Sequence, residues 1–383
     1  MNVRKISDNL WHSLEELQEI PPTMDLKEFS GLPEEDLRRL ATVWPTLPAV
    51  TRRELVQTWN TLAAENFALD FSSVYRMAIR DQDAEVRTAA IMGLIEDEDI
   101  RLVPQLIEIL ERDTAAAVRA AAAQALAHFV LLGELHKIRP RPFDSTCTAL
   151  TTAYNNLNED LDVRRRALEA LGYTSLAGVP EMIEAAYAHA EEQMRISAVL
   201  AMGRSADKRW AKIVARELLN PLPDMRYEAT RACGELALPE AIPALIELAD
   251  DVNVGIQKMA LWALGQIGGK QAQRVLEQHV DSDNPVLRQA ARDALEELDF
   301  LHGDLSTFFG PPTEFDGESE VNWAEDGDID EKLKIGFGED DLDEEDFDAA
   351  DDFTDEDEDE LLALYLAEDE EDDLEDDEED RWV

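Results

Sequence analysis

VRRRALEALG, residues 163–172, places three arginines in a row, and its meaning depends on whether the chain repeats it. With Arg164 as origin, an apolar residue precedes, small residues follow at +3 and +6, and an apolar residue stands at +7. The same register returns around Arg87, Arg119, Arg195, Arg226, Gln257 and Arg288, with successive separations of 32, 45, 31, 31, 31 and 31 residues. The +3 position is alanine throughout (Ala90, Ala122, Ala167, Ala198, Ala229, Ala260, Ala291). The +6 position is Gly93 or alanine, and +7 runs from Leu94 and Leu126 to Leu264 and Leu295. The body is a repeat array.

Positions 0, +3, +6 and +7 fall on one face of a helix, so alanine at +3 and +6 admits a neighbouring helix at close range. Amphipathic stretches alternate with these helices, among them VPQLIEILE (103–111), VPEMIEAAY (179–187) and IPALIELA (242–249), so each repeat is a helix pair. Pro104, Pro180 and Pro243 suit a first helical turn, and Asp83 and Asp283 suit helix N-termini. Gly172, Gly203, Gly234 and Gly265, at +8, are expected to end their helices in the left-handed conformation. The fold class is all-α, an α-solenoid of about seven helix pairs.

VRRRALEALG and IPALIELADD resemble HEAT repeats, in particular the short bacterial type seen in phycobilisome-lyase-like proteins. The resemblance covers roughly residues 70–299 and lies in the register rather than in any one motif. It implies an armadillo-type superhelix. The 31-residue step is shorter than the ~40–47 residues usual for HEAT and armadillo units, a departure that the short type shares.

The expected organisation is a helical N-terminal cap over 1–69, the solenoid over 70–301, and an acidic, mostly disordered segment over 302–383. The 45-residue step places an insertion near 129–143. There the second helix is expected to run to about Leu135, followed by a basic loop from His136 to Pro142. Residues 1–66 stand outside the register.

Charge is unevenly spread. Of 86 acids, 37 lie in residues 314–383 with only Lys332, Lys334 and Arg381 beside them, so that segment carries about −34 of the net −51. A body with a net −17 repels a phosphate backbone, and no nucleic acid is expected as partner. Within the acidic segment, Leu361, Leu362, Tyr365 and Leu366 could form one stripe of a short helix at 360–368. That cluster reads either as part of a solubilising tail or as a docking motif. Cys147 and Cys233 stand alone, and the N-terminus lacks the apolar stretch of a secretory signal, so a cytoplasmic location is expected. The most apolar run, 120–132, is shorter than a membrane span needs, and no membrane contact is expected.

The residues offer no chemistry. Deoxyhypusine hydroxylase, a HEAT-repeat enzyme, builds a di-iron centre from His-Glu dyads; none of the six histidines here is followed by glutamate. GQIGGKQ (265–271) has Leu264 where a phosphate loop needs its first glycine and Gln271 where it needs a hydroxyl. No catalytic residue, metal ligand or cofactor is expected, and a lyase activity would rest on fold analogy alone.

The sequence therefore reads as a non-enzymatic scaffold or adaptor for protein partners, the alternative being a phycobilisome-lyase-type enzyme or accessory protein. A third reading makes the acidic segment a nucleic-acid mimic that sequesters a basic partner. Candidate contact residues are the basic loop (Lys137, Arg139, Arg141), the basic first helix (Arg209, Lys212, Arg216), Arg165 and Arg166, and the 361–366 cluster. The acidic segment could also fold back on the basic sites. Arg164 itself is expected to belong to a structural ladder pairing with acids at neighbouring helix starts, because five other repeats carry arginine there.

Overall fold

The computed structural model describes Leu10, Trp11, Leu14 and residues 23–302. After a helical turn at Thr23–Leu26 come α1 (Glu34–Val43), α2 (Ala49–Glu65), α3 (Ser72–Ala78), α4 (Ala84–Gly93), α5 (Leu102–Arg112), α6 (Ala116–Glu134), α7 (Pro140–Asn155) and α8 (Leu161–Leu171). There follow α9 (Val179–Tyr187), α10 (Glu192–Arg204), α11 (Ala211–Glu217), α12 (Pro223–Glu235), α13 (Ile242–Leu248), α14 (Val254–Ile267), α15 (Lys270–His279) and α16 (Pro285–His302). No strand occurs among the described residues. From α3 onward the helices pair, and the second helix of each pair packs on the second helices before and after it, from α4 through α16.

Small side chains set that packing. At +8, Gly172, Gly203 and Gly234 face the next repeat's +6 alanine so closely that an added Cβ would stand 2.9, 2.8 and 3.0 Å from the Cα of Ala201, Ala232 and Ala263. At Gly265 it would come within 2.7 Å of the Ala294 carbonyl oxygen. These glycines are not left-handed caps: Gly172 has φ −55°, and the others lie inside their helices. The left-handed turn comes three residues later, at Ala206 (φ 52°) and Ala237 (φ 46°). At Ala237 it is fixed by a Schellman pair, the Ala237 N–H to Gly234 and the Leu238 N–H to Cys233.

The arginine ladder joins the edge where each first helix turns into its second. Arg87, Arg195, Arg226 and Arg288 each donate through Nη1 to carbonyls five and six residues upstream, and Arg119 to the one at −6. Three carboxylates of the following repeat complete it: Asp113 for Arg87, Glu159 for Arg119 and Asp251 for Arg226. The acids thus sit in the loops between paired helices, and the guanidinium depresses the Asp113 carboxyl against the upward push of burial. Arg164 is the exception. Its Nε donates to the Tyr154 carbonyl at 2.9 Å, its guanidinium lies 5.7 Å from the Tyr154 ring, and it has no carboxylate partner among the described residues.

Three local expectations change. The insertion lengthens α6 and α7 rather than opening a long loop, so Arg141 and Pro142 belong to the first turn of α7. Asp83 caps α4 by accepting from the Glu85 and Val86 N–H groups, but before α16 the side-chain acceptor is Asn284, not Asp283. At the N-terminus, α2 packs on α4 and supplies its own ladder residues: Arg52 reaches Asp81, and Arg53 reaches Asp83. The register is hidden there because Leu55, Val56, Trp59 and Leu62 replace the small residues, and Phe29, Trp44, Trp59 and Phe71 fill the wider space.

Gly234→Ala is expected to cost about 1–3 kcal/mol in denaturant unfolding, because the backbone of α14 cannot retreat from the new methyl. Arg87→Gln, which strands the Asp113 carboxylate, should cost about 3 kcal/mol, against about 1 kcal/mol for Arg164→Gln. Equal losses would show that the cross-repeat ion pairs do not hold the edge.

Candidate interaction surface

The second helices leave one face uncovered by their paired first helices, and register positions +1, +2, +5 and +9 occupy it. On α8 these are Arg165, Arg166 and Glu169, with Tyr173 just past its end; on α10 Ile196, Ser197, Leu200 and Arg204; on α12 Tyr227, Glu228, Arg231 and Glu235. Packing positions repeat along the array, whereas these change character from pair to pair.

Charge on this face concentrates in the middle pairs and is largely buried. Glu169 is 4% exposed, and its carboxylate accepts from Ser197 Oγ at 2.5 Å and Arg166 Nη1 at 2.7 Å. Arg204 donates through Nη1 to the Glu169 carbonyl at 2.7 Å and lies 4.6 Å from the Tyr173 ring. Arg231 binds Glu235 at 2.9 Å and stands 3.9 Å from Glu228. One oxygen each of Glu228 and Glu235, and Arg204 Nε, are shielded from solvent without a hydrogen-bond partner. Burial pushes both carboxyls above the usual carboxylate range, with Arg231 offsetting part of the rise. Gly203 makes room for Glu235, whose carboxylate oxygen occupies the place a side chain there would need.

Beside this cluster, a shallow cavity of about 480 Å³ crosses α4, α6 and α8. Thr88 and Met92 form one wall, Asp160, Asp162, Arg165 and Arg166 the other, and Ala116, Ala117, Ala120, Ala121 and Gln124 the floor. By length and composition α6 could cross a bilayer, unlike the shorter run anticipated from the sequence. Most of it is buried, packed against α4, α5, α7 and α8, as in a core helix.

The candidate contact residues fall on separate elements. Arg165 is not a free surface group: its side chain is 12% exposed and binds Asp162, the Gln193 carbonyl and Ser197 Oγ. Arg166 is held by Glu169. Lys137 and Arg139 lie in the α6–α7 turn and Arg141 opens α7, all exposed. Arg209 pairs with Asp207 in the 3-10 turn before α11, Lys212 is exposed on α11, and Arg216 binds the Tyr187 hydroxyl at 2.6 Å. Leu361, Leu362, Tyr365, Leu366 and any fold-back of the acidic segment lie outside the described residues. Sequence reasoning passed over Glu169, Arg204, Glu228, Arg231 and Glu235. Their signal was available: charge at +2 and +5 around Arg164, at +9 around Arg195 and at +2, +5 and +9 around Arg226, where flanking pairs carry Ala89, Ala121, Met259 and Ala290 at +2.

Comparison with known proteins agrees with the helix-pair array. The profile for HEAT repeats matches residues 74–136 and 214–296. These two segments are HEAT repeats. Over 127 residues the chain is 31% identical to the bilin biosynthesis protein PecE of Mastigocladus laminosus, across 31% of this chain and 47% of the relative. The chain thus spans about half the length of that curated relative. Among solved structures it is similar to human deoxyhypusine hydroxylase (18% identity, 73% of this chain and 98% of that one, TM-score 0.33). It is also similar to a designed armadillo repeat protein (19% identity, 51% and 99%, TM-score 0.34). At these scores nothing about function follows from either structure.

Among the described residues no three His, Cys, Asp or Glu side chains gather as a metal site needs. Cys147 and Cys233 are buried, which pushes both thiols up to about 12 and leaves no thiolate at neutral pH.

The raised carboxyls carry a pH signature. A carboxyl that takes its proton more readily folded than unfolded stabilises the fold at low pH, and that contribution fades as pH rises through its folded value. The double variant Glu228→Gln/Glu235→Gln should therefore lose less stability than the parent between pH 5 and pH 7.5 in parallel melts. Parallel pH profiles would overturn this reading of the cluster.

Proposed function

We propose that this HEAT-repeat protein is a non-enzymatic scaffold or adaptor that binds protein partners along the face built by its second helices. The observation that carries the reading is the contrast within each second helix. Packing positions repeat Ala, Ala and Leu with little change, while the adjoining face carries alanine at α6, a buried Arg–Glu network at α8–α12 and Trp262 at α14. A stack of similar pairs supplies a frame, and residues that vary over the frame supply recognition. The lone buried cysteines support a cytoplasmic setting for this role.

The likeness to PecE favours a second reading, a phycobilisome-lyase-type enzyme or an accessory to one. The two readings separate cleanly in experiment. A photo-crosslinking residue at Arg166 or Tyr227, on the second-helix face, should capture partner protein from host extract, whereas one at Glu108, on α5, should not. Purified protein incubated with a free bilin should remain colourless after gel filtration. Stable visible absorbance on the protein, or its transfer to an added acceptor protein, would replace the scaffold reading with the lyase one.

A further inference from the structure

The trough across α4, α6 and α8 is unlike the rest of the second-helix face. At +1, +2 and +5, α8 presents Arg165, Arg166 and Glu169, and α12 presents Tyr227, Glu228 and Arg231; α6 presents only Ala120, Ala121 and Gln124, with Ala116 and Ala117 one turn earlier. Met92 on α4 and Arg165 and Arg166 on α8 stand beside it and turn this deficit into a channel about one helix wide, since adjacent helices lie ~8–10 Å apart. Its floor is apolar yet open, for Ala117 is exposed and Ala116 and Ala120 are half-buried. A core helix has no packing need for so bare an outer face.

The wall charges decide what fits. Arg165 and Arg166 line the trough, but the bonds of Arg165 run to Ser197 and the Gln193 carbonyl, and Arg166 is tied to Glu169. Asp160 and Asp162 are exposed. Asp162 meets Arg165 at 2.6 Å and still has a side chain 67% exposed. Exposed Glu98 stands 3.8 Å from His128, one turn beyond Gln124 on α6. The trough is thus apolar along its floor, and its most exposed charges are the carboxylates of Asp160 and Asp162, the two guanidiniums being paired, so that it repels the chain's own acidic C-terminal residues and favours a cationic occupant.

We propose that this trough receives a basic amphipathic helix of a partner protein, small apolar residues seated on α6 and lysines or arginines against Asp160 and Asp162. The proposal deepens the scaffold reading and rests on it. Such helix-in-groove docking draws affinity from the apolar face and orientation from the charged rim.

The test uses the full-length protein and a fluorescent leucine–alanine–lysine peptide of about 18 residues, five turns of helix. Anisotropy is read at about 0.15 M salt, where unfocused attraction to distant acids is screened. Ala117→Trp, at an exposed position that leaves the core intact, and Asp162→Lys should each weaken binding by about tenfold or more. Gln289→Trp, at +1 on α16, should leave it unchanged. Equal affinity for the parent, Ala117→Trp and Asp162→Lys, with circular dichroism unchanged, would place the peptide on other acidic residues and overturn the proposal. Partner crosslinks at Tyr227 alongside such a negative result would leave the scaffold reading standing without this trough; loss of crosslinks at every second-helix position would remove both.

Discussion

The closest constraint in the molecule is the approach of one second helix to the next, with a glycine at +8 against an alanine at +6. Once Gly203 touches Ala232 and Gly234 touches Ala263 with no room for a methyl between them, the repeat length, the small residues at +3 and +6 and the order of the stack follow. Backbones in contact gain dispersion over a long shared surface and fix the axial register of neighbouring helices. The first helices answer to a weaker requirement, which is to cover the apolar side of their partners, and their sequences vary accordingly.

Close packing leaves little side-chain volume at the seam, so polar links between repeats form at its margins, and they do so in two ways. Toward the N-terminus the links lie on the loop edge, where Arg52, Arg53, Arg87 and Arg119 reach Asp81, Asp83, Asp113 and Glu159. That edge is linked again at Arg226, which reaches Asp251, but among the described residues α8 and α10 have no such pair, because Arg164 and Arg195 find carbonyls rather than carboxylates. There the links cross the second-helix face instead, through Arg165, Ser197, Glu169 and Arg204. Desolvated ion pairs add little net stability even when well formed. The middle repeats therefore hold their polar groups on the second-helix face, and little stability is given up by the change of side.

How much of this was legible in the sequence depends on what the residues had to satisfy. The period, the helix pairs and the apolar seam could be read directly, since alanine at +3 and +6 answers to a geometric rule that recurs in every repeat. The glycines were noticed for the wrong reason: a glycine after a helical pattern usually marks a left-handed end, and only the neighbouring repeat shows that Gly203 and Gly234 are there to admit a backbone. Arg164 was assigned from its equivalents and departs from them, because α7, lengthened by the insertion, brings the Tyr154 carbonyl and ring to its side chain. Arg165 looked free because its partners lie 28 and 32 residues away on α10. The first pair escaped notice because large aromatics do there what alanines do elsewhere.

Packing also limits what the face can recognise. A residue that packs against the next repeat answers to an internal partner and can change only together with it, as Gly203 is bound to both Ala232 and Glu235. Ala117 and Ala120 answer to no such partner on their outer side, where Thr88 and Arg165 stand off across the cavity. An exposed helix position without a packing partner tolerates long polar side chains at almost no cost to stability. Ala117, exposed between Met92 of α4 and Arg165 and Arg166 of α8, is therefore explained more economically by what enters the space than by what surrounds it.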